Sequence, residues 1–235
     1  GRLYLEDGAI GQNDLSADGR HILPTDEQSW HLLSINSAGK IVGCTRYLQH
    51  QKNTRFDDLR VRHAALAESD VWGARLRAAV EEELSNARKA GFSYVEVGGW
   101  AMDYEIRCTA ECLRSVLATY AWSRIIGGAL GISTATERNG SASILRRLGG
   151  RSLEWDGAAL PAYFDPHYNC SMQMLRFDSR SPNPRYEEAI EQLRQALLNA
   201  PVIYPERSGW QSLIRGLSSL HEPSIVGSEA IAHAI

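Results

Sequence analysis

The chain has 235 residues, 43% of them hydrophobic and 23% charged, with a formal net charge of −3. Such values fit one globular domain, with or without an appendage, and a core large enough to need no disulfide staples. They exclude the strongly basic balance of a nucleic-acid binder, and no run of about 18 apolar residues exists to span a membrane.

Residues 1–29 mix turn formers with little periodicity. The opening GRLYLEDGAI has no basic segment leading into an apolar run, so no secretory leader is expected, and glycine at position 1 reads as a trimmed start. The segment from Trp30 to Ile35 predicts a strand, Asn36 to Lys40 a turn around Gly39, and Ile41 to Leu48 the returning strand of a hairpin. The charged residues 51–63 read as loop or short strand. From Asp70 to Ala90, Val71, Leu76, Val80 and Leu84 fall at helical spacing, with Asp70 as N-cap and Gly91 as stop.

FSYVEVGGWAM is the next strand. Its two glycines, Gly98 and Gly99, mark either a bulge or a place where another backbone comes close. Glu111 to Ile126 predicts a helix with a wide apolar face, ended by Gly127 and Gly128. ALGISTAT predicts a strand, and NGSASILRRLGG a short helix closed by Gly149. RSLEW and CSMQMLRFD predict two more strands around a loop rich in proline and tyrosine. NPRYEEAIEQLRQALLNA predicts a helix with Pro184 near its start. Residues 205–235 read as a C-terminal helical appendage to a domain over 1–204.

This order predicts an α/β (α+β mixed) protein with a mixed sheet. The strand–helix–strand unit from Tyr94 to Thr136 should be parallel, and ligands of open sheets lie beyond strand carboxyl ends. The corner MDYEIRCTAEC therefore poses a question. It is either a plain strand–helix corner or a set of free helix-start amides that hold an anion. Cys44, Cys108, Cys112 and Cys170 match no zinc spacing. They read as buried free thiols, which points to a cytoplasmic compartment and to no metal.

Arg107-Cys108-Thr109-Ala110-Glu111-Cys112 resembles the Arg/Gln-x-x-Gly-x-Gly/Ala turn of the GNAT acyltransferases, with Ala110 where glycine is usual and Cys112 in place of the last small residue. Gly43-Cys44-Thr45-Arg46-Tyr47-Leu48 and ASILRRLGG resemble further pieces in the same order. Together these cover residues 28–178. Glu96-Val97-Gly98-Gly99-Trp100-Ala101 is similar to the Glu-x-x-Arg-x-Ala strand of the acyl-homoserine-lactone and N-acyl amino acid synthases, with Gly99 in place of the arginine. Leu145 stands where GNAT enzymes commonly carry a tyrosine.

The resemblance implies a GNAT-like central mixed β-sheet flanked by helices. It implies an N-acyltransferase that moves an acyl group from a coenzyme A or acyl-carrier-protein thioester to a primary amine, such as an amino acid. A short-chain acetyltransferase and a non-catalytic coenzyme or carrier binding module are the alternatives. Ala101, Met102 and Arg107, the amides of Cys108, Thr109, Ala110, Glu111 and Cys112, and Asn139 and Ser141 would face the donor. Arg46, Gly98, Gly99 and Tyr163 would face the acceptor. Glu96 and Trp100 would be catalytic, the oxyanion resting on an amide of the Val97–Met102 strand.

Each role has a structural counterpart. Glu96 is a general base whose pKa burial raises, or a carboxylate paired with an arginine such as Arg46. Arg107 contacts phosphate or only solvates the corner. Asn139 and Ser141 reach the donor or cap the short helix. Arg138, Arg146, Arg147 and Arg151 meet phosphate or an acidic carrier, or form a solvated face. Tyr163, Asp165, His167 and Tyr168 cover a pocket, with His167 as proton shuttle, or are loop residues. Trp100, Trp122 and Trp155 otherwise read as core or pocket wall.

Overall fold

The computed structural model describes residues 1–203. The expected appendage at 205–235 and the domain boundary near 204 lie outside them. A short helix α1 (Arg2–Glu6) precedes the hairpin β1 (Ser29–Ile35) and β2 (Ile41–Gln49). Helix α2 (Gly73–Ala90), β3 (Ser93–Met102), α3 (Ala110–Ile125), β4 (Ala129–Thr136) and α4 (Ser141–Leu148) follow. The chain then makes short strands β5 (Arg151–Ser152), β6 (Glu154–Trp155), β7 (Ala158–Ala159) and β8 (Tyr163–Asp165), then β9 (Cys170–Asp178) and α5 (Glu187–Leu198). β1, β2, β3, β4, β9 and β5 lie in that order in one mixed sheet, which β8 joins by pairing with β9. β3 and β4 run parallel, as expected, and the other pairs are antiparallel.

Strand alternation divides the core. On one face Tyr94, Leu130, Ile132, Met172 and Met174 pack against Leu76, Val80 and Leu84 of α2. On the other, Ala135 and Leu175 pack under Leu117 of α3, Leu148 of α4 and Ile190 of α5. Each of these larger aliphatic side chains contributes about 1.5–3 kcal/mol by leaving water.

Three expectations change, and the loop-or-strand reading of residues 51–63 narrows to loop. α2 starts at Gly73 with no side-chain cap, not at an Asp70 cap. A Cβ on Gly73 would stand 2.4 Å from the Ala67 carbonyl, so the close approach of the preceding turn sets the start. Residues 51–63 form no strand. They belong to 3₁₀ turns at Phe56–Asp58 and Arg60–His63, and a third follows at Ala65–Glu68. Their amides bond to carboxylates in place of a ladder: Phe56 to Glu81 at 2.8 Å, and Arg60 and Val61 to Glu96. RSLEW splits at Leu153 between the main sheet and a separate hairpin. Finally, α4 is capped by neither Asn139 nor Ser141. Gly140, at φ +69°, is the N-cap, and the Ser141 hydroxyl bonds Thr136 instead.

Candidate active site

β3 carries one more residue than its partner at the centre of the sheet. Arg46 faces Gly98 and Cys44 faces Ala101, so Thr45 alone opposes both Gly99 and Trp100. This is a bulge with glycine in the left-handed region, Gly99 at φ +63°. A Cβ there would lie 3.1 Å from the Arg46 Cβ. The bulge bends the second half of β3. Pairing with β4 runs from Ser93↔Ala129 to Glu96↔Ile132 and stops. β4 continues to Thr136 against β9 alone, and β3 continues to Met102 against β2 alone. The two parallel strands thus part like a V, and the β3 edge from Val97 to Met102 faces the gap. The bulge reading of the glycine pair holds, and the bulge lies where the pairing of β3 with β4 ends.

Trp100 leans onto α3, its indole N–H donating to the Ser115 hydroxyl at 2.9 Å. The chain leaves Met102 through Asp103 and a 3₁₀ turn and enters α3. Thr109 caps α3 by accepting from the Glu111 amide at 3.2 Å, and its carbonyl accepts from the Cys112 amide. The Cys112 thiol donates to the Ile106 carbonyl. Cys108 is held at φ +62°, and the amides of Cys108 and Ala110 have no protein partner among the described residues. The corner is therefore more than a plain turn. It presents two free N–H groups at a positive helix end, beyond the carboxyl end of a parallel strand. A side chain in the left-handed region costs about 1–2 kcal/mol. Cys108→Gly is expected to raise stability by about 0.5–1 kcal/mol, read as a higher urea midpoint at unchanged slope.

Arg107 does not point at this amide pair. Its guanidinium makes a fork to both Asp7 oxygens at 3.2 and 3.0 Å, donates from Nε to the Met102 carbonyl at 3.1 Å, and lies 4.1 Å over the Tyr104 ring. Arg138, just after β4, donates to the Asp7 carbonyl at 3.0 Å. Asp7 thus ties the corner after β3 to the turn after β4. Asn139 is exposed in that turn. Arg146 is fastened to Gln173 and Ser152.

On the α2 face, Glu96 is buried at the last residue of the β3–β4 pairing. It accepts from His50 Nε2 at 2.9 Å, the Arg60 amide at 3.0 Å and the Val61 amide at 2.9 Å. Burial pushes its carboxyl up, but the His50 bond and the two amides outweigh burial and hold it below the ordinary carboxylate range. The expected rise does not occur, nor does the expected pairing with Arg46. Arg46 reaches Asp26 at 3.3 Å, and its buried Nε has no partner among the described residues. Arg60 reaches the adjacent Thr25 hydroxyl at 3.4 Å, so two guanidiniums converge on Thr25 and Asp26 behind Gly98. Burial, then the neighbouring Arg46, pulls the Arg60 pKa down. The Tyr168 hydroxyl is pushed up by burial and drawn down by Arg60 and Arg46.

Tyr163 is not brought to this group. It lies on β8, with β4 and β9 between it and β3, roughly 14 Å away by strand spacing. His167 is exposed and meets the Tyr168 ring edge-to-face. The sequence reading missed His50, Arg60 and Asp26. None lies in a motif, and only the fold carries them to Glu96 and Arg46. Among the described residues, no group of three or more His, Cys, Asp or Glu is placed to hold a metal, and no helix is long and apolar enough to cross a membrane.

No family model and no curated protein matches the sequence. Solved structures do. The chain is similar to BjaI, a CoA-dependent acyl-homoserine lactone synthase, in its structures with MTA and with SAM and isopentyl-CoA. Identity is 16%, the TM-scores are 0.52 and 0.51, and the match covers 86% of this chain and 79% of BjaI. MesI, another CoA-dependent acyl-homoserine lactone synthase, matches at 15% identity and TM-score 0.47 over 87% of this chain and 90% of its own. FeeM, an N-acyl amino acid synthase from uncultured soil microbes, matches at 11% and 0.38 over 60% and 62%. The mixed sheet expected from the sequence is present, and by its fold the chain is GNAT-like, similar to the acyl-homoserine lactone synthase BjaI.

Proposed function

We propose that this protein is an N-acyltransferase that moves an acyl group from a pantetheine thioester to a primary amine. One observation carries the reading: β3 and β4 part after Glu96↔Ile132, and the unpartnered amides of Cys108 and Ala110 stand at the α3 start behind the opening. Two free N–H groups at a helix start suit a diphosphate, and a strand edge without a neighbour suits the amides of a pantetheine arm. In this reading the donor lies along Gly98–Met102, its phosphates against Cys108, Thr109, Ala110, Glu111 and Cys112. Asn139 and Ser141 flank it across the opening. Arg107 holds the corner through Asp7 and leaves phosphate contact to the main chain.

The acceptor amine approaches from the other face, beside Gly98, Gly99 and Arg46. Nitrogen attacks the thioester carbon, an amide of the Val97–Met102 strand near Trp100 holds the oxyanion, and the carbon–sulfur bond breaks. Glu96, ionised by its three donors, takes a proton from the amine directly or through a water. The donor is a coenzyme A thioester, or the same pantetheine arm on an acyl carrier protein. An amino-acid acceptor fits the arginine beside the bulge.

The test is thiol release and amide mass from the purified chain. The donors are acetyl- to dodecanoyl-coenzyme A and their carrier-protein counterparts, offered with a panel of amines and amino acids. An amide product with matching thiol release is expected. Thioester binding without any amide would leave only a binding module.

A further inference from the structure

Glu96 has three hydrogen-bond partners, and they differ in what they can do with a proton. The Arg60 and Val61 amides only donate. His50 alone can take a proton over, and it lies 2.9 Å away. Its main chain is fixed, the His50 N–H donating to the Tyr94 carbonyl at 2.9 Å. Beside an ionised carboxylate, which only accepts, Nε2 carries the hydrogen. His50 also lines a surface recess of about 360 Å³ together with Gln28, Trp30, Gln49, Arg88 and Tyr94. His50 thus stands between a buried carboxylate and an opening at the far end of β3 from the helix-start amides.

We infer that His50 is a positioning and relay residue, passing the proton that Glu96 collects to solvent in this recess. The inference rests on the acyltransferase reading. An amine arriving as its ammonium form gives one proton to the Glu96–His50 pair. Water in the recess moves the imidazole hydrogen from Nε2 to Nδ1, the bare Nε2 takes the proton from Glu96 Oε2, and the pair holds imidazolium beside carboxylate, because the two amides favour the charged carboxylate. The imidazolium releases its Nδ1 proton to water in the recess and is left with hydrogen on Nε2, as at the start. As the carbon–nitrogen bond forms and the carbon–sulfur bond breaks, the second nitrogen-bound proton goes to the departing thiolate. One ammonium and one thioester thus give one amide, one thiol and one free proton.

Several ionisable groups face His50. Glu96 and Tyr94 come from β3, Lys52 from the turn after β2, and Arg88 from α2. Arg60 stands behind Glu96. Glu83 and Arg176, paired at 3.0 Å, act on the Tyr94 hydroxyl.

The test compares wild type, His50→Gln and His50→Ala. Glutamine keeps an N–H donor for Glu96 but cannot carry a proton. We expect His50→Gln to lose about 100-fold in kcat with thioester KM unchanged, and its pH profile of kcat to differ in shape from that of wild type. Added imidazole is expected to restore His50→Ala by roughly tenfold, because the recess admits it. A merely structural histidine would change neither the pH profile nor the response to imidazole. If folded His50→Gln turns over at the wild-type rate, or imidazole restores nothing, the relay is overturned and the acyltransferase reading stands. If wild type acylates no amine, that reading falls and takes the relay with it.

Discussion

Glu96→Ala is expected to lower the unfolding free energy by about 3 kcal/mol, measured by urea titration at neutral pH. Among the described residues the carboxylate is the only acceptor for the part-buried Arg60 amide and the buried Val61 amide, and it also holds His50. Each buried donor left unmade costs about 1–3 kcal/mol. Glu96→Gln should cost less, because its carbonyl still serves one side of the group. Its NH₂, however, must then face a main-chain N–H. The stability change also has a pH signature. The folded pKa of Glu96 lies below its unfolded value of 4.5. Its contribution is therefore fully present above about pH 4.5 and is lost as pH falls through the depressed folded value. Glu96→Gln should flatten this acid limb, and an unchanged limb would show that the carboxylate is not ionised in the folded protein. Turnover by Glu96→Gln, measured well below its melting temperature, should fall at least about 100-fold while thioester binding persists.

Gly99→Val is expected to lower stability by about 2 kcal/mol and to remove acyl transfer together with thioester binding. A β-branched residue at φ +63° is strained, and its Cβ would meet the Arg46 Cβ at 3.1 Å. The chain relieves both by giving up the bulge, and the bulge is what bends β3 away from β4. Gly99→Asn should be milder, because asparagine tolerates the left-handed region, although its Cβ meets the same contact. Equal stability for the valine and asparagine variants would show that the backbone there is not left-handed. Full thioester binding by a folded Gly99→Val would separate the opening of the sheet from the donor site.

The candidate site was legible in the sequence where local chemistry specifies it. The turn of small and polar residues before Glu111 marks a helix start, and the two glycines in an otherwise apolar strand announce an irregular backbone. Arg107 illustrates the limit. Its position at a helix start suggested phosphate, yet its guanidinium is committed to Asp7, 100 residues earlier in the chain. No local pattern links those two residues. Glu96 was singled out correctly as an unusual buried carboxylate, but the direction of its pKa depended on partners from the turn at Arg60–His63 and from His50, which only folding supplies.

Periodicity and turn chemistry by themselves determined the hairpin, the long helices and the parallel strand–helix–strand unit, because each depends on neighbours within a few residues. The tertiary structure alone decided that β3 and β4 separate after four paired residues, that Asp7 closes the corner, and that His50 stands between Glu96 and a solvent recess. Those features arise from contacts between segments distant in sequence, where the partner's identity carries no local signal.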